Sequence, residues 1–460
     1  MAERYDVVIV GAGPGGIFAA LELSRSSGLR VLIVEKGHAL SRRSCPGRER
    51  GCSGCKVCAI MTGWGGAGAF SDGKLTLSTH VGGWLGDYIG QDALAKLIDY
   101  TDSVWRRHGA PDVTFGPDPD AEADLVRQAS LAEMQLVPMQ IRHLGTDRSP
   151  DVLEDMHDHL VTSGVDIRLD AQVTRILADG GHVTGVELDG EQVRAEAVIA
   201  APGREGAEWL ASQARALGVR LTNNAVDIGV RVEVPAAVME PLTEPLYEAK
   251  LIYYSKLFGD QVRTFCMNPY GEVTTESYGD AITVNGHSYA EKRLPNTNFA
   301  ALVSQSFTHP FHEPITYGMS VAQLANLLSD GNVLVQRLGD LRSGHRSTED
   351  RLRQSVLTPS LPSATPGDLS FVLPYRHLTD IVEFLDAMDR LVPGVASPHT
   401  LLYGVEVKFY SSRLELDEDL MTQVSGLYAV GDGAGVTRGL IQSSASGVLA
   451  ARAILRSLGR

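Results

Sequence analysis

The sequence predicts an α/β chain in which a three-layer domain built on a parallel sheet is interrupted by a mixed α+β insert. Three observations predict it. An apolar, β-branched run near the start passes directly into a glycine-rich turn and a helix. A second glycine-rich turn and a helix of small residues follow close to the end. Between about residues 226 and 395 the pattern changes to alternating strands and then to helical stretches such as LTDIVEFLDAMDRL. At 460 residues the chain exceeds one simple core and suits two associated domains. Residues 1–110 and 111–225 are read as the first two segments of the three-layer domain, the second with connecting helices. Residues 226–395 are the insert and 396–460 the third segment.

The first element is YDVVIV, Tyr5 to Val10, whose unbroken hydrophobicity suits a parallel strand buried on both faces. GAGPGG follows at once. Gly11 allows the tight turn, Gly13 lets backbone amides approach a pyrophosphate, and Gly16 permits close packing of the helix that Pro14 and Gly15 open. The phosphate then sits on that helix's N-terminal amides. A second strand, RVLIV, ends in Glu35 and Lys36, and a carboxylate there accepts from a ribose 2′-hydroxyl. The whole Rossmann-like unit is present, which predicts a dinucleotide.

Two further stretches choose the dinucleotide. VSGLYAVGDGAGVTRGLIQSSASG sets a short strand, Leu427 to Val430, before Gly431 and Asp432; Gly439 and Gln442 then lead into the last helix. This is similar to the second flavin motif of the glutathione reductase and fumarate reductase flavoprotein superfamily. The resemblance implies FAD, with Asp432 on a ribityl hydroxyl and the helix N-terminus facing the flavin ring. In the middle, GHVTGVELDGEQVRAEAVIAAPGREG gives a hairpin turning near Asp189 and Gly190, then a strand running to Ala200. Ala201, Pro202 and Gly203 resemble the alanine-threonine-glycine element of that superfamily, with Pro202 replacing the threonine. Val173 stands where the superfamily contacts adenine through its backbone. No second GxGxxG unit follows, so a dedicated nicotinamide domain is not expected.

WGGAGAFSDGKL, Trp64 to Leu75, places Gly65, Gly66, Ala67, Gly68, Ser71, Asp72 and Gly73 in a run suited to backbone lying against a flat ligand or a pyrophosphate. It resembles the most recognisable string of a poorly characterised family of FAD-dependent dehydrogenases. IRHLGTD, VRTFCMNPYGEV, VNGHS, NTNFA, LLYGVEVKFYSSR and GDGAGVTRGL extend that likeness over nearly the whole chain. The likeness implies fold and cofactor and hardly any substrate.

Four of the five cysteines, Cys45, Cys52, Cys55 and Cys58, precede that run at C-x6-C-x2-C-x2-C spacing. Three readings stand: a four-thiolate site for a [4Fe-4S] cluster or zinc, a dithiol pair coupled to the flavin, and a reduced loop without a role. The metal site is preferred.

The insert is expected to cap the isoalloxazine and form the substrate pocket. His287 is a candidate proton acceptor, against a satisfied turn histidine. Arg263 and Cys266 are candidates for placing an anion, against a small core role for Cys266. Lys408 and Tyr410 share one strand face near the flavin motif, against a solvated face. Arg438 is set against a carboxylate or the charge that develops on flavin N1, and His143 is a weaker candidate.

The charge, 41 minus 56 or −15, disfavours nucleic acid, and no apolar run approaches the roughly 20 residues of a membrane span. The start carries no secretory pattern, so a cytoplasmic location is expected. The function expected is an FAD-dependent oxidoreductase moving hydride between a small molecule and flavin N5. Its electrons pass to oxygen, a quinone or a protein. The alternatives are a flavin monooxygenase, a flavin-dependent reductase, and a non-enzymatic flavin and thiol redox sensor.

Overall fold

The computed structural model describes residues 3–45, 55–71, 73–116, 119–137, 139–144, 148–222, 224–278, 281–288, 293–311, 313–408 and 413–460. Cys52, Asp72 and Tyr410 lie outside these. The chain divides into two compact units, one of residues 1–114, 140–224 and 411–460, the other of 115–139 and 225–410.

Unit 1 is the α/β domain. Strand β1 (Arg4–Val10) runs parallel to β2 (Val31–Val34) on one side and to Glu191–Ala200 on the other, with Val10 level with Val34 and Ala200. Asp166–Arg168 extends the parallel sheet beyond β2, and Leu427–Ala429 pairs parallel to Glu191–Ala200. The β-branched runs are buried along their whole length because both faces of the sheet are covered. His182–Leu188 joins Glu191–Ala200 through the expected hairpin. Asp189 (φ +49°) and Gly190 (φ +90°) are both left-handed, as a two-residue turn matched to strand twist requires.

Helix α1 (Pro14–Leu23) and the last helix, Gly439–Ser457, cross at their glycines. A Cβ on Gly447 would lie 2.0 Å from the Gly15 carbonyl oxygen. The two glycine-rich motifs, at opposite ends of the sequence, therefore form one packed unit.

Unit 2 is built on an eight-stranded sheet in the order Thr365–Pro366, Leu334–Arg337, Leu401–Lys408, Val226–Pro235, Asn296–Gln305, Gln261–Asn268, Lys250–Tyr254, Gln135–Val137. Pairing is antiparallel apart from the first two strands. Two borders differ from the sequence reading. Gln135–Val137 pairs with Lys250–Tyr254, so residues 115–139 fall in unit 2. Leu401–Lys408 pairs with Val226–Pro235, so the insert does not stop at residue 395. The amphipathic helix Tyr375–Leu391 buries Ile381, Phe384, Leu385 and Met388 in this unit's core.

Candidate functional site

In unit 1 the candidate residues gather at the C-terminal ends of adjacent parallel strands, where open α/β sheets bind ligands. Gly11 leaves β1 at φ +106°, and a Cβ there would stand 2.2 Å from the Ala201 carbonyl oxygen. One on Gly16 would stand 2.0 Å from the Gly11 carbonyl oxygen, so the turn closes only with glycine at both ends. A Cβ on Gly13 would meet no protein atom within 4 Å, which leaves the face of this turn accessible to a ligand.

Glu35, at the end of β2, fixes the neighbouring loops. One carboxylate oxygen accepts from the Ala12 amide (2.9 Å), the other from the Gly37 and Gly63 amides (2.8 and 2.9 Å). A carboxylate offers about four lone-pair positions, so three amides leave one for a ribose hydroxyl. Lys36 pairs with Glu205, away from that task.

The glycine-rich run lies along the same turn. The Gly65 amide donates to the Ala12 carbonyl (2.8 Å), and a Cβ on Gly66 would lie 3.1 Å from the Gly13 Cα. Gly66 to Phe70, including Ala67, form a short 3-10 helix whose Gly68 fits under Leu440. The Ser71 hydroxyl then donates to Gly68 and accepts from Gly73.

Arg43 holds the run in place, and sequence reasoning missed it. Its buried guanidinium donates to the carbonyls of Ala59 and Ile60 (2.8 Å each), Trp64 (2.6 Å) and Gly66 (2.8 Å) and covers the Phe70 ring at 4.7 Å. Burial draws its pKa down to about 10, with Glu35 and Cys58 pulling upward, so it is cationic at neutral pH. Nothing in the spacing of SRRSC separates Arg43 from Arg42, which pairs on the surface with Asp170.

Asp432 follows Leu427–Ala429. It accepts from the Thr437 hydroxyl (3.0 Å) and has Arg204 3.9 Å away. Burial raises its pKa, with Arg204 and Arg438 opposing. Gly433 sits on Gly203, where a Cβ would lie 2.4 Å from the carbonyl oxygen. Gln442 donates from Nε2 to Val81 (3.0 Å), while its buried Oε1 has no hydrogen-bond partner among the described residues. An acceptor orphaned in this position fits a ligand carrying an N–H or O–H donor. Val173 is buried at the start of its strand, level with Leu188.

These residues fit FAD. The turn at Gly11 to Gly16 and the α1 N-terminus suit its pyrophosphate, Glu35 its adenosine ribose, and Asp432 with Gln442 its ribityl chain and flavin. Bound there, FAD would supply a two-electron acceptor at its N5.

In unit 2, the charges Asp227, Arg231 and Glu233 recur at even spacing on a strand that is otherwise apolar, and Glu406 and Lys408 recur on its neighbour. That period of two puts each set on one face, a signal available in the sequence. Arg231 and Glu406, both wholly buried, form a two-point ion pair, 2.7 Å at each contact. Burial pushes the Glu406 carboxyl up, but Arg231 and Lys408 outweigh it and hold it below its usual range. Lys408 Nζ lies 3.1 Å from Glu406 and 3.4 Å from Glu276. Asn285 links Glu276 (3.1 Å) back to Arg231 (3.4 Å).

Arg263 pairs with Asp227 and shares the Phe265 ring with Lys408, at 5.4 and 5.9 Å. The structure thus brings Arg263 and Lys408 together. The solvated face weighed for Lys408 is not what forms: the residue is 8 % exposed and stands between two carboxylates. His287 ends its strand in an exposed position opposite Glu272. Cys266 has φ +41°, and its carbonyl accepts from Arg231 and Asn268 (2.9 Å each). Arg438 and His143 lie in unit 1, His143 opposite Lys74 on a short two-stranded ladder.

A second buried set lies where Tyr375–Leu391 begins. His377 (3 % exposed) and Asp380 (0 %) stand one helical turn apart beside Asp260 and Arg376, which are paired at 2.7 Å. Burial lowers the His377 pKa to about 4. Burial, with Asp260 adding to it, raises that of Asp380 to about 6.

Among the described residues, Cys45 and Cys58 are thiols outside any disulfide. Among the described residues, the three metal-binding side chains whose ligand atoms come within 4.8 Å of one another are Glu154, His157 and Asp158 on an exposed helix, and the cysteines form no such group. Also among the described residues, no helix is long and apolar enough to cross a membrane.

Comparison with known proteins matches residues 6–44 to an FAD binding domain and residues 225–409 to the C-terminal domain of FAD-dependent proteins. The second match reaches the end of Leu401–Lys408, as unit 2 does. An uncharacterized protein of Clostridium beijerinckii is 28 % identical over 97 % of this chain and 80 % of its own length. Protein FixC of Salmonella typhi is 28 % identical over 52 % of this chain, a region spanning 45 % of FixC. The L-proline dehydrogenase structure from P. horikoshii aligns over 100 % of this chain and 95 % of its own, at 11 % identity and a TM-score of 0.41.

Proposed function

We propose that the chain is an FAD-dependent oxidoreductase of a poorly characterised family and that it oxidises a small molecule by removing hydride from an activated C–H or C–N bond. The observation that supports this best is the three-amide grip on the Glu35 carboxylate, which ties the dinucleotide turn, the end of β2 and the glycine-rich run into one cradle. Arg43 clamps the outer wall of that cradle, and Asp432 with Gln442 closes its far end.

Within unit 2, the buried polar group of interest is Lys408 with the carboxylates around it. Lys408 lies between Glu406 and Glu276, 3.1 and 3.4 Å away, and can donate hydrogen bonds to both.

The test is an anaerobic visible spectrum of purified protein, followed by release and quantitation of the flavin and by single-turnover reduction with a panel of amines, hydroxy acids and amino acids. Bound FAD bleached by one of these classes supports the proposal. Protein that purifies without FAD and takes none up overturns it. Reoxidation by oxygen with peroxide release, against reoxidation by a quinone or a protein, identifies the acceptor; oxygen incorporated into product marks a monooxygenase. Iron, zinc and acid-labile sulfide on the same sample decide whether the cysteine loop holds a metal.

A further inference from the structure

The last helix, Gly439–Ser457, carries Gln442 at the end of its first turn, where the residue is 1 % exposed. Helical side chains lean back towards the N-terminus, so the Gln442 amide lies beside the helix opening. Its orientation is fixed. Nε2 donates to the Val81 carbonyl (3.0 Å), which settles which end of the amide is the nitrogen. Gly82 lies against the same amide: a Cβ there would stand 2.8 Å from Gln442 Cγ and 2.9 Å from Cδ, at a left-handed φ of +121°. The Arg438 amide donates to the Gly82 carbonyl (2.6 Å) and the Trp84 amide to the Val436 carbonyl (2.8 Å), so this loop and the helix opening are tied together. Among the described residues, Oε1 is left buried without a donor.

A buried amide oxygen without a donor costs stability, and packing that holds it in place instead of letting it turn points to a ligand. That ligand must present an N–H or an O–H. The N–H groups with which a helix opens want acceptors, so the ligand edge that fits carries a donor beside acceptors. Oxidised isoalloxazine has such an edge, the imide of O2, N3–H and O4, and N3–H is its single N–H donor. The hydroxyls of the ribityl chain are donors too, but a hydroxyl rotates to suit its acceptor and has the Asp432 carboxylate to turn to. An imide N–H cannot rotate. It needs an acceptor already in position, which is what the clamped Gln442 amide offers.

We infer that Gln442 Oε1 accepts the hydrogen bond of the flavin N3–H, and that Gln442 is thereby the residue that positions the imide end of the ring. This rests on the FAD reading given above and deepens it, because it names the atom of the cofactor that the orphaned acceptor selects.

The experiment equilibrates FAD-loaded protein with mixtures of FAD and 3-methyl-FAD, in which a methyl group replaces the N3 proton, and quantifies the two flavins retained. Wild type is expected to prefer FAD by about tenfold. Gln442→Leu is expected to lose that preference. Gln423→Leu, which removes exposed hydrogen bonds to Glu415 and Arg220, is the control and keeps it. The N3 proton is also titrated by flavin absorbance in alkali, and its midpoint is expected to lie about one pH unit higher in wild type than in Q442L. Wild type that retains both flavins equally overturns the assignment, whether or not Q442L folds. So does a Q442L that discriminates as wild type does, or that leaves the N3 midpoint unmoved. Weaker binding of both flavins by Q442L, with no discrimination in wild type, gives Oε1 to a ribityl hydroxyl and overturns the N3 assignment alone. Protein that retains neither flavin overturns the FAD reading itself.

Discussion

Arg231 and Glu406 meet through two hydrogen bonds of 2.7 Å with neither side chain touching solvent. Removing one member strands a charge in the sheet of unit 2. Glu406→Gln is expected to cost about 3–5 kcal/mol, read as a lower denaturation midpoint. The double variant R231M/E406L leaves no unpaired charge and is expected to lose less. Because Glu406 titrates below its ordinary 4.5 in the folded protein, its contribution is present above that pH and is lost as pH falls through the lower folded value. The gap between wild type and E406Q therefore narrows only in acid; a gap that widens there contradicts the assignment.

Gly447 rests on Gly15 with no room for a side chain. Gly447→Ala pushes the last helix away from α1 and is expected to cost about 1–3 kcal/mol and to lower the FAD recovered per chain. Gly459→Ala, at an open position near the chain end, tests whether any alanine near this terminus does the same. Equal FAD content in G447A and wild type excludes the crossing as a support for the cofactor.

Arg43 spans four carbonyls of residues 59–66. Arg43→Met keeps bulk beneath the loop and leaves those acceptors without their donor, a loss of about 2–4 kcal/mol. The expected signature is faster protease cleavage within residues 59–66 together with weaker FAD retention on dilution. Arg42→Met, whose partner Asp170 is on the surface, is expected to show neither.

His377 and Asp380 pull stability in opposite directions between pH 4 and 6.5. The Asp380 carboxyl, raised to about 6, favours the folded state when protonated, and this contribution is lost as pH rises from its ordinary 3.8 through 6. His377, held near 4, is neutral when folded, so its contribution is lost as pH falls from 6.5 towards 4. Asp380→Asn is accordingly expected to gain on wild type as pH rises, reaching about 1–3 kcal/mol at neutrality. His377→Gln is expected to gain on wild type in acid. Thermal melts at pH 4.5 and 7.5 check both, and a D380N advantage that is larger in acid contradicts the assignment.

The dinucleotide unit, the Asp189-Gly190 hairpin and the closing flavin motif were legible because each is a local signal: a strand, a turn with demanding dihedrals, a helix. The role of Arg43 was not, because its partners are backbone carbonyls, which carry no sequence label. The border of the insert was missed for a similar reason. Leu401–Lys408 stands just before the flavin motif in sequence, but its antiparallel partner is Val226–Pro235, a long-range choice made by burying both faces of the strand. Lys408 was singled out as a polar residue alternating with apolar ones in its strand. Its partner Glu276 comes from a distant hairpin, which no spacing rule connects to it.

The crossing of the first and last helices also sets an order of events during synthesis. The dinucleotide turn is made before all of unit 2, yet the surface that α1 rests on is encoded by residues 439–457, after it. The nascent chain therefore carries α1 without its partner helix while unit 2 is made, and the cradle is complete only once residues 439–457 have emerged. Any pause or truncation ahead of residue 439 leaves a protein whose inserted domain can be complete while its flavin cradle is open on one side.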